Sequence, residues 1–263
     1  MSAAYRRTHA RARAAAPTRA AGWAAAMGLA CALAGCAAAP PDRFYTLDLP
    51  AGERPRAIAG ALPAPEAGRT TAGIAAVQVP EIVDRAQLVV EAQPQQVYVL
   101  EGHRWAQPLP ATIAEALATD LESALSGWRI LSYGPLPTSG ADAPALRIRL
   151  SFDRFDSRLS DAAGARSSAE SVEAVHWSVS CAGGPAAARS GDELLRAEAP
   201  AGPDAYAGLV SAHARNIAQL AQRLADALLE LRPLCSPAAD AGRAPGNLRA
   251  SSGTPAAGTG TSR

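Results

Sequence analysis

Apolar and polar positions alternate most cleanly at residues 146–153, where Leu146, Ile148, Leu150 and Phe152 are separated by Arg147, Arg149, Ser151 and Asp153. A period of two places the two sets on opposite faces of a sheet, so this stretch is predicted to be a half-buried strand. Val175, Trp177, Val179 and Cys181 repeat the pattern against His176, Ser178 and Ser180, with a weaker partner near residues 189–197. Aromatic and β-branched runs predict further strands at residues 43–48, 74–79 and 128–132. Residues 87–92 and 96–100 read as a hairpin across Gln93-Pro94-Gln95.

The period changes twice to that of a helix. Ile113, Leu117, Leu121 and Leu125 lie four apart and predict a helix over residues 110–125 that Gly127 ends. Thr112 and Glu115 have capping-box spacing, and Pro110 suits an early helical position. The second helix is predicted over residues 204–231, with Tyr206, Val210, His213, Ile217, Leu220, Leu224, Ala227 and Leu231 on one stripe and Pro233 as its stop. His and Ala inside that stripe, and leucines beside it, favour a helix packed on a sheet over a coiled coil. The whole pattern predicts an α+β (mixed α/β) fold, one domain over residues 43–235 with a mixed β-sheet and two main helices on one face. Residues 236–263 carry Ala, Gly, Ser, Thr and Pro without periodicity, and are expected to form a disordered C-terminal tail.

Composition changes this picture at the amino-terminal end. Residues 1–35 hold five arginines (Arg6, Arg7, Arg11, Arg13 and Arg19) and no acid, followed by an apolar stretch from Ala20 to Ala34. A basic region, an apolar region and small residues before a cleavage point make a secretory signal peptide. Leu33-Ala34-Gly35-Cys36 also matches the lipobox of bacterial lipoproteins, which makes Cys36 the expected lipid attachment point and residues 36–42 a lipidated tether. Several acyl chains on one cysteine anchor stably, because each buried methylene contributes ~0.8 kcal/mol. Ala37 stands where an inner-membrane retention aspartate would be, which favours the outer membrane, facing the periplasm. After processing, 20 arginines (25 − 5) face 24 acids, so the formal net charge changes from +1 to −4. That balance argues against a nucleic-acid partner.

The chain contains no lysine, so a P-loop lysine, a Schiff-base lysine and a Ser–Lys dyad are all excluded. Its 65 alanines inflate the apolar fraction of 48%, since alanine buries little area. Beyond Cys31 and Cys36 there remain Cys181 and Cys235, a candidate disulfide in an oxidising compartment. No short Cys/His spacing suggests a metal, and no cofactor is expected. Catalysis is not expected either. No Gly-x-Ser-x-Gly elbow occurs, His176 and His213 read as structural, and Asp153 with Asp156 is only a nominal carboxylate pair. Arg85, His103, Arg104 and Trp105 are the candidate partner or ligand contacts, because an arginine beside an aromatic can stack, pair with a carboxylate or meet a lipid headgroup.

These pieces combine into a resemblance. A lipobox cysteine is followed by Phe44-Tyr45-Thr46-Leu47, then Val79-Pro80-Glu81-Ile82-Val83-Asp84-Arg85, Leu88-Val89-Val90 and His103-Arg104-Trp105-Ala106-Gln107-Pro108-Leu109, and finally a helix led by Tyr206. The series resembles the ABC-type transport auxiliary lipoprotein family, including its paraquat-inducible lipoprotein branch. The resemblance implies a non-enzymatic, outer-membrane-side component that docks a periplasmic mammalian-cell-entry (MCE) domain protein, with an ABC permease and ATPase as indirect partners and lipid as cargo. It is compatible with a homo-oligomer, since MCE proteins form rings. The alternative is a stand-alone periplasmic lipoprotein that holds a lipid or small ligand in a pocket of Trp105, Trp177 and Phe152.

Overall fold

The computed structural model describes residues 41–58, 70–93, 95–132, 134–140, 143–160, 168–183, 187–199 and 204–235. The expected signal peptide, Cys36 and the expected C-terminal tail lie outside the described residues. All elements below fall in the unit that starts at Asp42. In chain order they are β1 (Arg43–Tyr45), β2 (Thr71–Gln78), β3 (Gln87–Gln93), β4 (Gln96–Trp105), α1 (Leu109–Ala124), β5 (Arg129–Leu131), β6 (Leu146–Ser160), β7 (Ser168–Cys181), β8 (Ala188–Ala199) and α2 (Ala205–Cys235).

The strongest alternating segment became the spine of the sheet. β6 pairs antiparallel with β7 from Leu146↔Cys181 to Ser160↔Ser168, and β7 pairs antiparallel with β8. The opposite edge of β6 is shared by two shorter strands. β2 lies parallel to it up to Gln78↔Ser151, and β3 meets it further on at Glu91↔Arg158. β5 flanks β2, while β4 and then β1 flank β3, completing a mixed eight-stranded sheet. Pro80 to Ala86 makes the turn between the two strands on that shared edge, with Val83 N–H donating to Pro80 O. β4 runs five residues beyond the predicted hairpin arm and takes in His103, Arg104 and Trp105.

Both helices pack on one face of this mixed α/β fold, α1 against β2 and β5, α2 against β7 and β8, and the two helices against each other. Leu146, Ile148, Leu150, Phe152, Val175, Trp177 and Val179 meet the buried stripes of Ile113, Leu117 and Leu121, and of Ile217, Leu220, Leu224 and Leu231. Trp177 reaches across β8 because its partner there is Gly191, where a Cβ would sit 2.7 Å from the indole. The α2 stripe is therefore a sheet-facing surface.

Two helix boundaries differ from the sequence pattern. α1 starts at Leu109, with Pro108 at its N-cap and no side-chain cap, so Thr112 is already inside the helix. Its hydroxyl donates back to Gln107 O (3.2 Å), and no Thr112–Glu115 capping box forms. α2 does not stop before Pro233 but continues to Cys235. Proline removes one ladder hydrogen bond, yet the last turn is held down by buried Leu231 and by a disulfide from Cys235 to Cys181 at the end of β7.

Asp120 sits on the buried side of α1, 3% exposed. Burial lifts its pKa to about 6; Asp48 adds to the rise and Arg54 opposes it. The folded state therefore keeps a proton that the unfolded chain gives up, and stability falls as pH rises between the two pKa values. Asp120→Asn removes that dependence. In denaturant melts, the parent should lose about 1–2 kcal/mol relative to Asp120→Asn between about pH 4 and pH 7, and a constant difference would show that Asp120 does not titrate in this window. The disulfide joins residues 54 apart, so reduction should lower stability by about 2–4 kcal/mol. Two titratable thiols in the native, oxidised protein would contradict the pairing.

Candidate functional site

The four residues singled out as candidate contacts end up near one another but in different environments. Trp105 is 6% exposed and its ring meets the edge of Phe155 at 6.4 Å, so it belongs to the core and not to a surface. Arg85 is exposed in the turn before β3. Arg104 pairs with Asp42 at 2.8 Å. His103 Nδ1 lies 2.7 Å from the Tyr45 hydroxyl, and its ring is 4.4 Å from that of Tyr206 at the start of α2. Tyr45 is pushed above its ordinary pKa by burial, with Asp204 adding to the rise. The aromatic corner thus joins β1, β4 and α2, with Arg43 bound to Asp204 at its rim (3.4 Å).

The sheet face turned away from the helices carries charged pairs beside exposed apolar residues, among them Phe44, Val97 and Leu194. Asp156 accepts from Arg154 (2.5 Å) and Arg158 (3.3 Å), Arg158 reaches Glu91 (3.2 Å), Arg196 reaches Glu170 (3.3 Å), and His176 meets Asp192 (2.9 Å). Asp153 is exposed beside a bulge while Asp156 is bound by two arginines, so they do not form a pair facing one bond.

A more ordered constellation lies under α2. His213 is 0% exposed and stacks on Phe155 with ring centroids 4.2 Å apart and planes at 4°. Its Nε2 is 2.8 Å from Ser157 Oγ, and its Nδ1 bonds to Glu173 Oε1. Asn216, one turn along α2, donates to the other Glu173 oxygen and to Ser171 Oγ (2.9 Å). Burial pushes the Glu173 carboxyl above the usual carboxylate range, against the pull of His213 and Asn216. Periodicity identified only His213, as part of the helical stripe. The missed signal was parity: Ser171 and Glu173 share the face of Val175 and Trp177, so two polar residues stand at core positions.

Serine, histidine and carboxylate in this order have the connectivity of a nucleophilic triad. The surroundings do not let it act as one. Ser157 is 6% exposed within a strand, Glu173 is fully buried, and the imidazole lies flat against a phenyl ring. An acyl substrate needs room beside the hydroxyl and donors for its oxyanion, and helix α2 occupies that position. Two cavities lie elsewhere among the described residues. One of about 510 Å³ is lined by Glu122, by Arg129 to Ser132 and by Pro135 to Pro137, and one of about 270 Å³ lies between Leu49, Glu53, Pro55 and the outer side of α2. Trp105, Trp177 and Phe152 are core residues and line neither of these two cavities. Among the described residues, no cluster of three or more His, Cys, Asp or Glu could hold a metal ion, and no helix is long and apolar enough to cross a membrane.

The cluster is therefore a structural device that sets where α2 lies on the sheet. Removing one partner strands buried polar groups, so Glu173→Ala or His213→Ala should each cost about 3–5 kcal/mol. Ser157→Ala should cost only about 1 kcal/mol. In denaturant unfolding, the Glu173→Ala/His213→Ala double variant should lose less than the two single losses summed, by about 1 kcal/mol or more. Additive losses would show that the residues do not act as a unit.

Comparison with known proteins places the chain. Residues 47–225 match the family model of the ABC-type transport auxiliary lipoprotein component. None of the curated proteins compared matches. Among solved structures, the chain is similar to protein XCC0632 of Xanthomonas campestris, from the DUF330 family, at 14% identity and a TM-score of 0.49, over 73% of this chain and 98% of that one. It is similar to an uncharacterized protein at 19% identity and a TM-score of 0.46, over 71% and 98% of the two chains. The hypothetical protein CT253 of Chlamydia trachomatis gives 10% identity and a TM-score of 0.36, over 62% and 99%. With its model matched across most of the folded region, the chain belongs to the family of ABC-type transport auxiliary lipoprotein components.

Proposed function

We propose that this protein is a non-enzymatic, lipid-anchored periplasmic component of an ABC/MCE envelope transport system. It docks the MCE-domain protein at the outer membrane, in a pathway that moves lipid between the two membranes. The observation that carries the reading is the coincidence of the family match over residues 47–225 with Leu33-Ala34-Gly35-Cys36 ahead of it. Absence of lysine, and hence of a P-loop lysine, fits a system in which a partner hydrolyses ATP. A sealed core, in which the polar cluster is covered by α2, supports a docking role over a catalytic one. Arg85 is the proposed contact on this chain, whereas His103 is engaged by Tyr45 and Tyr206, Arg104 by Asp42, and Trp105 supports the corner from inside. Ala37, in place of a retention aspartate, supports the outer membrane.

Cys36→Ser tests the anchor and the docking separately. The parent should sediment with membranes and the variant should appear in the soluble periplasmic fraction. Both forms should capture the MCE-domain protein of the same cell in a pull-down. Capture by neither form, in membranes or in solution, would overturn the docking role even if the anchor stands.

A further inference from the structure

We propose that Phe44 seats in the phospholipid surface, so that β1 forms a second, non-covalent membrane contact beside the acyl anchor. The proposal rests on lipidation of Cys36 as put forward above, and adds a named contact on the folded domain. Phe44 is 64% exposed, a large apolar ring left in water within a strand. Its neighbours show which way it points. Arg43 and Tyr45, with their pairing partners His103 and Trp105, face the helices: Arg43 reaches Asp204, His103 meets Tyr206, and Trp105 is buried against Phe155. Alternation then puts Phe44 and its partner Arg104 on the opposite face, which no helix covers.

The path of the chain leads to the same place. Asp42 precedes Phe44 by two residues, about 7 Å of chain at most, and its carboxylate is held by Arg104 at 2.8 Å on the Phe44 face. That ion pair fixes Asp42 beside the exposed ring. Eight residues separate Cys36 from Phe44, at most about 28 Å, so a bilayer that holds the acyl chains is within reach of this corner. Chemistry fits the boundary between headgroup and acyl chain, where an exposed aromatic ring finds its apolar side. Further along this face, Asp156, Arg158, Glu91 and Glu170 lie in charged pairs that favour water, so the β1 corner and not the whole face approaches lipid.

The test uses the full lipidated chain carrying Phe44→Trp, reconstituted in 3:1 phosphatidylethanolamine–phosphatidylglycerol vesicles with and without lipids brominated near the headgroup. The emission gained over the parent should fall about twofold with brominated lipid, as expected for a ring seated ~5–10 Å into the interface. Leu194→Trp on β8, exposed on the same face at the far edge, should not be quenched. No quenching in Phe44→Trp while the protein remains membrane-bound would overturn the contact and leave the anchor standing. Equal quenching at both positions would overturn it in favour of the whole face lying on lipid. A lipid-independent blue shift that grows with protein concentration would overturn it in favour of a second copy covering the ring. Membrane binding that survives Cys36→Ser unchanged would remove the anchor reading, and binding left unchanged by Phe44→Ser as well would overturn the ring's contact with it.

Discussion

One extra residue in β6 decides which side chains meet helix α2. Up to Phe152 the even-numbered residues of that strand face the helices; between Phe152 and Arg154 the register with β7 shifts, and the odd-numbered residues take over. Phe155 and Ser157 are buried under α2 because of that shift. Without it, Arg154, Asp156 and Arg158 would enter the core, where three charges could not all find partners. A bulge also increases local twist, and it falls where the other edge of β6 changes from β2 to β3. One irregularity therefore lets a single long strand serve two parallel neighbours and present a coherent core face along its length.

The polar cluster under α2 exists only because of this register. Ser157 comes from β6 beyond the bulge, Glu173 and Ser171 from β7, and His213 and Asn216 from successive turns of α2. An apolar helix on an apolar sheet can slide or rotate with modest loss, since hydrophobic contact is not directional. Hydrogen bonds between buried groups cannot be re-formed after such a shift, so the cluster selects one placement of the helix. The disulfide acts at the far end of the same helix, fixing Cys235 to the last residue of β7. Two constraints of different chemistry, about six turns apart at 3.6 residues per turn, thus hold α2 in a defined position on β7.

Most of the architecture was legible because burial imposes a period, and the period is written in the residues. Leu146 to Phe152 and Val175 to Cys181 marked the central strands, and the stripe from Tyr206 to Leu231 marked a sheet-packed helix. Features that depend on a tertiary partner were not legible. The β6 reading stopped at Asp153 because two polar residues in succession break the alternation, although Phe155, Ser157 and Leu159 begin a second run with the opposite parity. Pro233 is a sound local stop signal that packing and a disulfide override. Trp105 beside Arg104 suggested a surface motif, but adjacent residues in a strand face opposite sides, and the tryptophan went inward.

The same alternation separates the two jobs of the corner where β1 meets β4. Residues on the helix side, Tyr45, His103 and Tyr206, interlock rings and close the core next to the start of α2. Those on the other side, Asp42, Phe44 and Arg104, add nothing to that closure; the ion pair is more than a third exposed at Asp42 and the ring is bare. Surface ion pairs of this kind contribute little to stability, so the pair matters more for where it holds Asp42 than for the energy of the fold. In a lysine-free protein such a pair falls to the planar guanidinium or to histidine, and the guanidinium binds carboxylates in a defined direction. Asp42 is therefore fixed in direction as well as in position, on the face away from the helices, where β1 begins.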